Sequence, residues 1–91
     1  MNKANCASIT VNGKTFLKSY SSTVVIIDHD SKIITLGKDW EYSNTTARHI
    51  KAFFQEYGIN ANRILLNKAL NEDVFYTVMG QFNVIYDSKL R

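Results

Sequence analysis

The chain has no proline, one cysteine and only four glycines in 91 residues. With Cys6 alone, no intrachain disulfide can form, and the fold must be held by its core. Gly13, Gly37, Gly58 and Gly80 are dispersed along the chain. No glycine-rich loop exists to cradle a phosphate, so the P-loop and dinucleotide-binding patterns are excluded as sequence motifs. The longest unbroken aliphatic run, Val24-Val25-Ile26-Ile27, falls far short of the roughly 18 residues that cross a bilayer. Residues 1–12 lack the apolar block of a secretory signal. With the lone cysteine, this points to a reducing cytoplasm and away from a membrane.

Charge of either sign is also modest. A net charge of +3 rules out an acidic mimic of DNA, and it permits contact with nucleic acid without demanding it. A hydrophobic fraction of 45% and a charged fraction of 21% are ordinary for a globular domain, which excludes disorder, collagen and a coiled coil. The length and the absence of repeats or linkers predict a single domain over residues 1–91.

What is present reads as α+β: an antiparallel sheet of four to five strands from the N-terminal half plus a C-terminal strand, with two helices packed on it. Asn12-Gly13 between two β-prone runs predicts a two-residue type I′ hairpin, because both residues tolerate positive φ. That turn sets Val11 opposite Lys14, Ile9 opposite Phe16 and Ala7 opposite Lys18. Ala7, Ile9, Val11 and Phe16 then form the apolar, core-directed face, and Ser8, Thr10, Thr15 and Ser19 the wetter one. Residues 23–27, apolar on both faces, predict a covered strand. Asp28 to Ser31 supplies turn chemistry, and residues 32–36 the return strand, ended by Gly37.

A helix is predicted over residues 45–57, capped by Ser43 or Asn44. Ala47, Ile50, Phe53, Phe54 and Tyr57 form its buried stripe, and Gly58 stops it. Asn60 reads as the cap of a second helix reaching residue 71, burying Ile64, Leu65, Ala69 and Leu66. The final strand is expected over residues 82–87. Residues 74–79 fit either a hairpin partner turning at Gly80-Gln81 or an extension of the second helix.

Little of this carries catalytic chemistry. Asp28-His29-Asp30 has the residue types of a metal site or general base, but adjacent strand residues point to opposite faces, and the same types make a tight turn; the turn is the expectation. Cys6 with His49 lacks any elbow or helix N-terminus to activate the thiol, so a packed cysteine is expected. His49, beside the buried stripe, reads as a hydrogen-bonded structural histidine. No catalytic residue, metal or cofactor is expected.

The candidate partner-binding residues are Trp40, Tyr42, Arg48, Lys51, Arg63 and Lys68. Arg48 and Lys51, extended by Arg63 and Lys68, are offset in that region only by Glu56. Such a face is by default simply solvated, and otherwise docks something acidic. Trp40, the only tryptophan, reads first as a core lid; exposed with Tyr42, it would anchor a binding surface. Lys14, Phe16, Lys18 and Tyr20 alternate as a single-strand nucleic-acid platform would, but the hairpin register puts Phe16 in the core.

Ser19-Tyr20-Ser21-Ser22-Thr23-Val24-Val25-Ile26-Ile27, Gly37, Trp40, Tyr42-Ser43 and Thr45-Thr46-Ala47-Arg48-His49-Ile50, with Phe54 and Gly58, resemble small proteins encoded by phages of low-GC Gram-positive bacteria. The resemblance covers roughly residues 16–58. It implies a non-enzymatic accessory protein of the infected bacterial cytoplasm that inhibits or redirects a host or defence protein or ribonucleoprotein complex, anti-CRISPR proteins being of this kind. The alternative is a nucleic-acid-binding accessory protein using the basic helix face. An edge strand at residues 7–11 offers a route to a homodimer.

Overall fold

The computed structural model describes residues 2–3, 5–72, 74–77 and 80–91. Strands β1 (Asn2–Lys3), β2 (Cys6–Val11), β3 (Lys14–Ser19), β4 (Ser22–Asp28) and β5 (Ile33–Gly37) run as an antiparallel meander. Helices α1 (Asn44–Gln55) and α2 (Arg63–Glu72) follow, then β6 (Phe75–Thr77) and β7 (Gly80–Asp87). The sheet order is β1-β2-β3-β4-β5-β7-β6, with β7 parallel to β5 and antiparallel to β6. This is the predicted α+β class.

The Asn12-Gly13 turn forms as expected, with φ of 52° and 78°. The register it sets is the predicted one: Val11 opposite Lys14, Ile9 opposite Phe16 and Ala7 opposite Lys18. The face, however, is inverted. Thr15, Leu17 and Ser19 are buried under the helices, whereas Ile9 is 63% exposed, Val11 is exposed and Phe16 is half-buried on the uncovered side. Two polar side chains reach the core because they are satisfied there. Thr15 Oγ1 lies 2.8 Å from His29 Nε2 and 2.9 Å from Thr10 Oγ1, and Ser19 Oγ lies 2.8 Å from His49 Nδ1.

Between β3 and β4 the register shifts at Leu17/Lys18, which pair with Val25 and Thr23. The extra residue on β4, Val24, is buried like Val25. Across the helix-facing side run two rows of directly paired residues, Thr15–Ile27–Ile34–Val84 and Leu17–Val25–Leu36–Tyr86. Onto these pack Ile50, Phe53 and Phe54 of α1, Leu66 and Ala69 of α2, and Trp40, Ile59 and Ala61 from the connections.

α1 starts where Ser43 Oγ accepts the Thr46 N–H at 3.1 Å, and Gly58 beyond its end takes φ 70°. α2 is capped two residues later than predicted, by Asn62, whose Oδ1 accepts the Leu65 N–H at 2.9 Å. Ile59 and Ala61, in the connection ahead of it, are buried in the core. The shift rotates the buried stripe. Leu66 and Ala69 are covered as expected, but Ile64 is 78% exposed and Leu65 is exposed rather than buried.

The final strand is present, two residues longer at its start than expected and inserted beside β5. Residues 75–77 form a strand and not a helical extension, with Thr77 opposite Gly80. Of the two alternatives for this segment the hairpin partner is the one present, but Gly80 and Gln81 belong to β7 and not to its turn; residues 78 and 79 lie outside the described residues.

Candidate functional site

Three of the predicted binding residues converge. Arg48 and Lys51, one helical turn apart on the exposed side of α1, face Arg63 at the start of α2 across a groove of about 390 Å³ lined also by Asn44, Ala47, Asn62 and Ile64. The Arg63 side chain is half-buried and reaches across the groove, its Nη2 donating to the Ser43 carbonyl at 2.9 Å, while its buried Nε has no partner among the described residues. That bond ties the N-terminus of α2 to the N-terminus of α1. Neither helix has an acidic residue in its first turn, so two helix N-termini and three cations add with the same sign. Ile64 supplies an exposed aliphatic surface at the groove.

The other predicted residues part company with this groove. Lys68 lines a separate one, with Leu65, Ala69, Glu72, Val74, Phe75 and Tyr76. Trp40 is buried to 3% exposure in the core cluster, so of its two readings it is the core lid and not an exposed anchor beside Tyr42. Tyr42, two residues on, is 70% exposed, and its ring packs edge-on against Tyr20 with centroids 5.9 Å apart.

Asp28-His29-Asp30 forms a turn. Asp28 Oδ1 accepts the N–H groups of Ser31 and Asp30 at 3.0 and 3.1 Å. These bonds, that from Ser31 foremost, hold the Asp28 carboxyl below the usual aspartate range; Lys14, 4.0 Å away, adds a smaller push in the same direction. His29 is committed to Thr15, and its ring lies 5.7 Å from that of Tyr57. Among the described residues no group of three or more His, Cys, Asp or Glu is placed to hold a metal ion. Cys6 is buried at the start of β2, opposite Ser19. His49 is half-buried and hydrogen-bonded, the structural role expected of it.

The inverted hairpin face has a consequence for Lys14, Phe16 and Lys18. Both lysines are exposed, and Phe16 lies with Ile9 on the open side instead of in the core. There Ile9, Phe16, Ile26, Thr35 and Ile85 pair in one continuous row across five strands. Among the described residues no helix is long and apolar enough to cross a membrane.

The chain belongs to a family of unknown function, DUF8033. The family's profile matches residues 1–70, which takes in the meander, α1, the groove residues and most of α2, and stops before β6 and β7. No curated protein and no solved structure matches the chain.

Sequence reasoning missed Ile64 as a surface residue. The signal was present: Leu66, Ala69 and the half-buried Leu70 share one helical stripe that omits Ile64 once Asn62, not Asn60, is taken as the cap. Tyr20 is legible in the sequence only as part of the Lys14, Phe16, Lys18 and Tyr20 alternation, and its φ of 57° is visible only in the folded chain.

Proposed function

We propose that this is a non-enzymatic binding protein whose inter-helix groove docks an acidic surface of a protein partner. The observation that carries the reading is the convergence of Arg48, Lys51, Arg63 and two helix N-termini around the exposed Ile64. A charged rim steers and orients an acidic partner, while an aliphatic centre supplies the contact that loses water. The lining contains no aromatic ring on which a base would stack, which favours protein over single-stranded nucleic acid. The resemblance to small phage proteins of low-GC Gram-positive bacteria supports a partner in a host or defence complex of the infected cytoplasm, a CRISPR effector among the candidates. In this reading, occupancy of the partner's surface is the mechanism.

The test is affinity capture from host lysate with the wild-type protein and an Arg48→Glu/Lys51→Glu variant, followed by titration of the recovered partner. A saturable partner lost from the variant is expected. Recovery of nucleic acid instead, with affinity falling steeply as salt is raised, would replace the protein reading with the nucleic-acid one. Equal capture by both forms would reject the groove.

A further inference from the structure

Tyr20 is the first residue of the two-residue link between β3 and β4, and its φ is 57°. Glycine or asparagine usually occupies such a position, because a left-handed backbone crowds the Cβ of a larger residue. The conformation is fixed by the Tyr20 N–H, which donates to the Asn5 carbonyl at 2.7 Å. Its effect is to turn the ring out of the sheet, 46% exposed, against Tyr42 and 6.1 Å from the ring of His49.

The two tyrosines wall a cleft of about 300 Å³ completed by Ser19, Ser21, Ser22 and Asp39. The Asp39 carboxylate is held by Ser22, whose Oγ donates to Oδ2 at 2.7 Å. The main-chain carbonyl of Asp39 accepts the Tyr42 N–H at 3.0 Å, closing the turn that carries the second tyrosine. Neither Lys18 nor Lys38 lines the cleft: Lys18 lines the open sheet face, and Lys38 a cleft with Trp40 and Asn67.

Two electron-rich rings beside an oriented carboxylate form a receptor for an organic cation, the rings attracting it through their quadrupoles and the carboxylate through charge and hydrogen bonding. A guanidinium fits best, since its flat face lies against a tyrosine while its edge donates to the carboxylate. We propose that the Tyr20–Tyr42–Asp39 cleft binds an arginine side chain presented by a protein partner. The site is separate from the inter-helix groove, and neither its residues nor its test depend on the groove being used.

The experiment is a ¹H–¹⁵N NMR titration with N-acetyl-arginine-N-methylamide, alongside its citrulline and lysine counterparts. Saturable shifts concentrated at residues 20–22 and 39–42 are expected, with half-saturation on the order of 10 mM for one isolated side chain. Citrulline, which keeps the shape and loses the charge, should give no saturable shift, and lysine should bind at least about threefold more weakly. Equal binding by citrulline would overturn the site as a cation receptor, and equal binding by lysine would overturn the guanidinium assignment.

Tyr20→Gly suits the turn's φ, so the variant should fold at least as stably as the parent while binding about fivefold or more weakly. Asp39→Asn should weaken binding to a similar degree. A folded Tyr20→Gly protein that binds as tightly as the parent would overturn the proposal.

Discussion

Ser19 Oγ lies 2.8 Å from His49 Nδ1 and 3.1 Å from Thr46 Oγ1, joining the end of β3 to the buried side of α1. A serine 2% exposed would otherwise be a poor core residue; here it cross-links sheet to helix. Replacing it with alanine withdraws a hydrogen-bonding partner from two side chains at once. Ser19→Ala is expected to cost about 1–3 kcal/mol in urea denaturation with an unchanged m-value. A loss below about 0.5 kcal/mol would show that the two side chains find substitutes without cost.

Asp28 makes stability depend on pH with a defined sign. Its folded pKa lies below the ordinary value, chiefly through the Ser31 N–H. Its contribution is therefore fully present above the unfolded-state pKa, about 3.9, and is lost as pH falls through the folded value. The stability difference between wild type and Asp28→Asn should be constant near neutrality and shrink on acidification below about pH 4. Thermal denaturation from pH 2 to 7 checks this, and a difference that does not vary with pH would refute it.

The register of α2 is open to a paired test. Leu66 is fully buried and Ile64 is 78% exposed. Leu66→Ala should cost about 2–5 kcal/mol, while Ile64→Ser should stay within about 0.5 kcal/mol. Chemical denaturation of the two variants side by side decides it, and the reverse order would mean that Asn60, not Asn62, caps the helix.

Gly37 is needed for space and not for its backbone angle. A Cβ there would meet the Thr23 carbonyl oxygen at 2.4 Å and the Leu90 carbonyl oxygen at 2.9 Å. Neither obstacle is the end of a flexible side chain, so β4 or the C-terminal segment would have to move. Gly37→Ala is expected to destabilise by about 1–3 kcal/mol and to weaken amide-exchange protection at Lys38, whose N–H donates to the Leu90 carbonyl at 2.8 Å. Gly80→Ala is the control for space, because a Cβ there meets nothing within 4 Å; at φ 108° it pays only the backbone strain.

The hairpin register was legible because Asn-Gly admits one turn geometry, and one turn fixes every pairing behind it. The face was not. β4 is apolar on both sides and gives no parity signal, so the choice rested on Ile9, Val11 and Phe16 outweighing Thr15 and Ser19. Hydropathy cannot register that Thr15 and Ser19 meet His29 and His49, residues distant in sequence that remove the cost of burial. The cap of α2 was misplaced for a similar reason. Asn60 and Asn62 are equal as local signals, and the packing of Ile59 and Ala61 decides between them. At the candidate site, the charges of Arg48, Lys51 and Arg63 could be read from the chain, but not their meeting across a groove. Trp40 could be read as a lid because the lone tryptophan of a small domain is usually needed to cover its core. The cleft at Tyr20 could not be read, since it depends on one backbone angle.

The pairing of β7 with β5 also governs when the molecule can finish folding. Ribosomes deliver the meander and both helices before β7, and β5 waits with an unpaired edge until that strand emerges. Phe82 and Val84, both buried, arrive with that final strand. Local hairpins can form early, but the long-range parallel contact closes late, which makes completion of the sheet the slow step. A nascent or prematurely terminated chain would therefore present a sticky strand edge beside uncovered aliphatic side chains, and it is during synthesis that this protein is most exposed to aggregation and proteolysis.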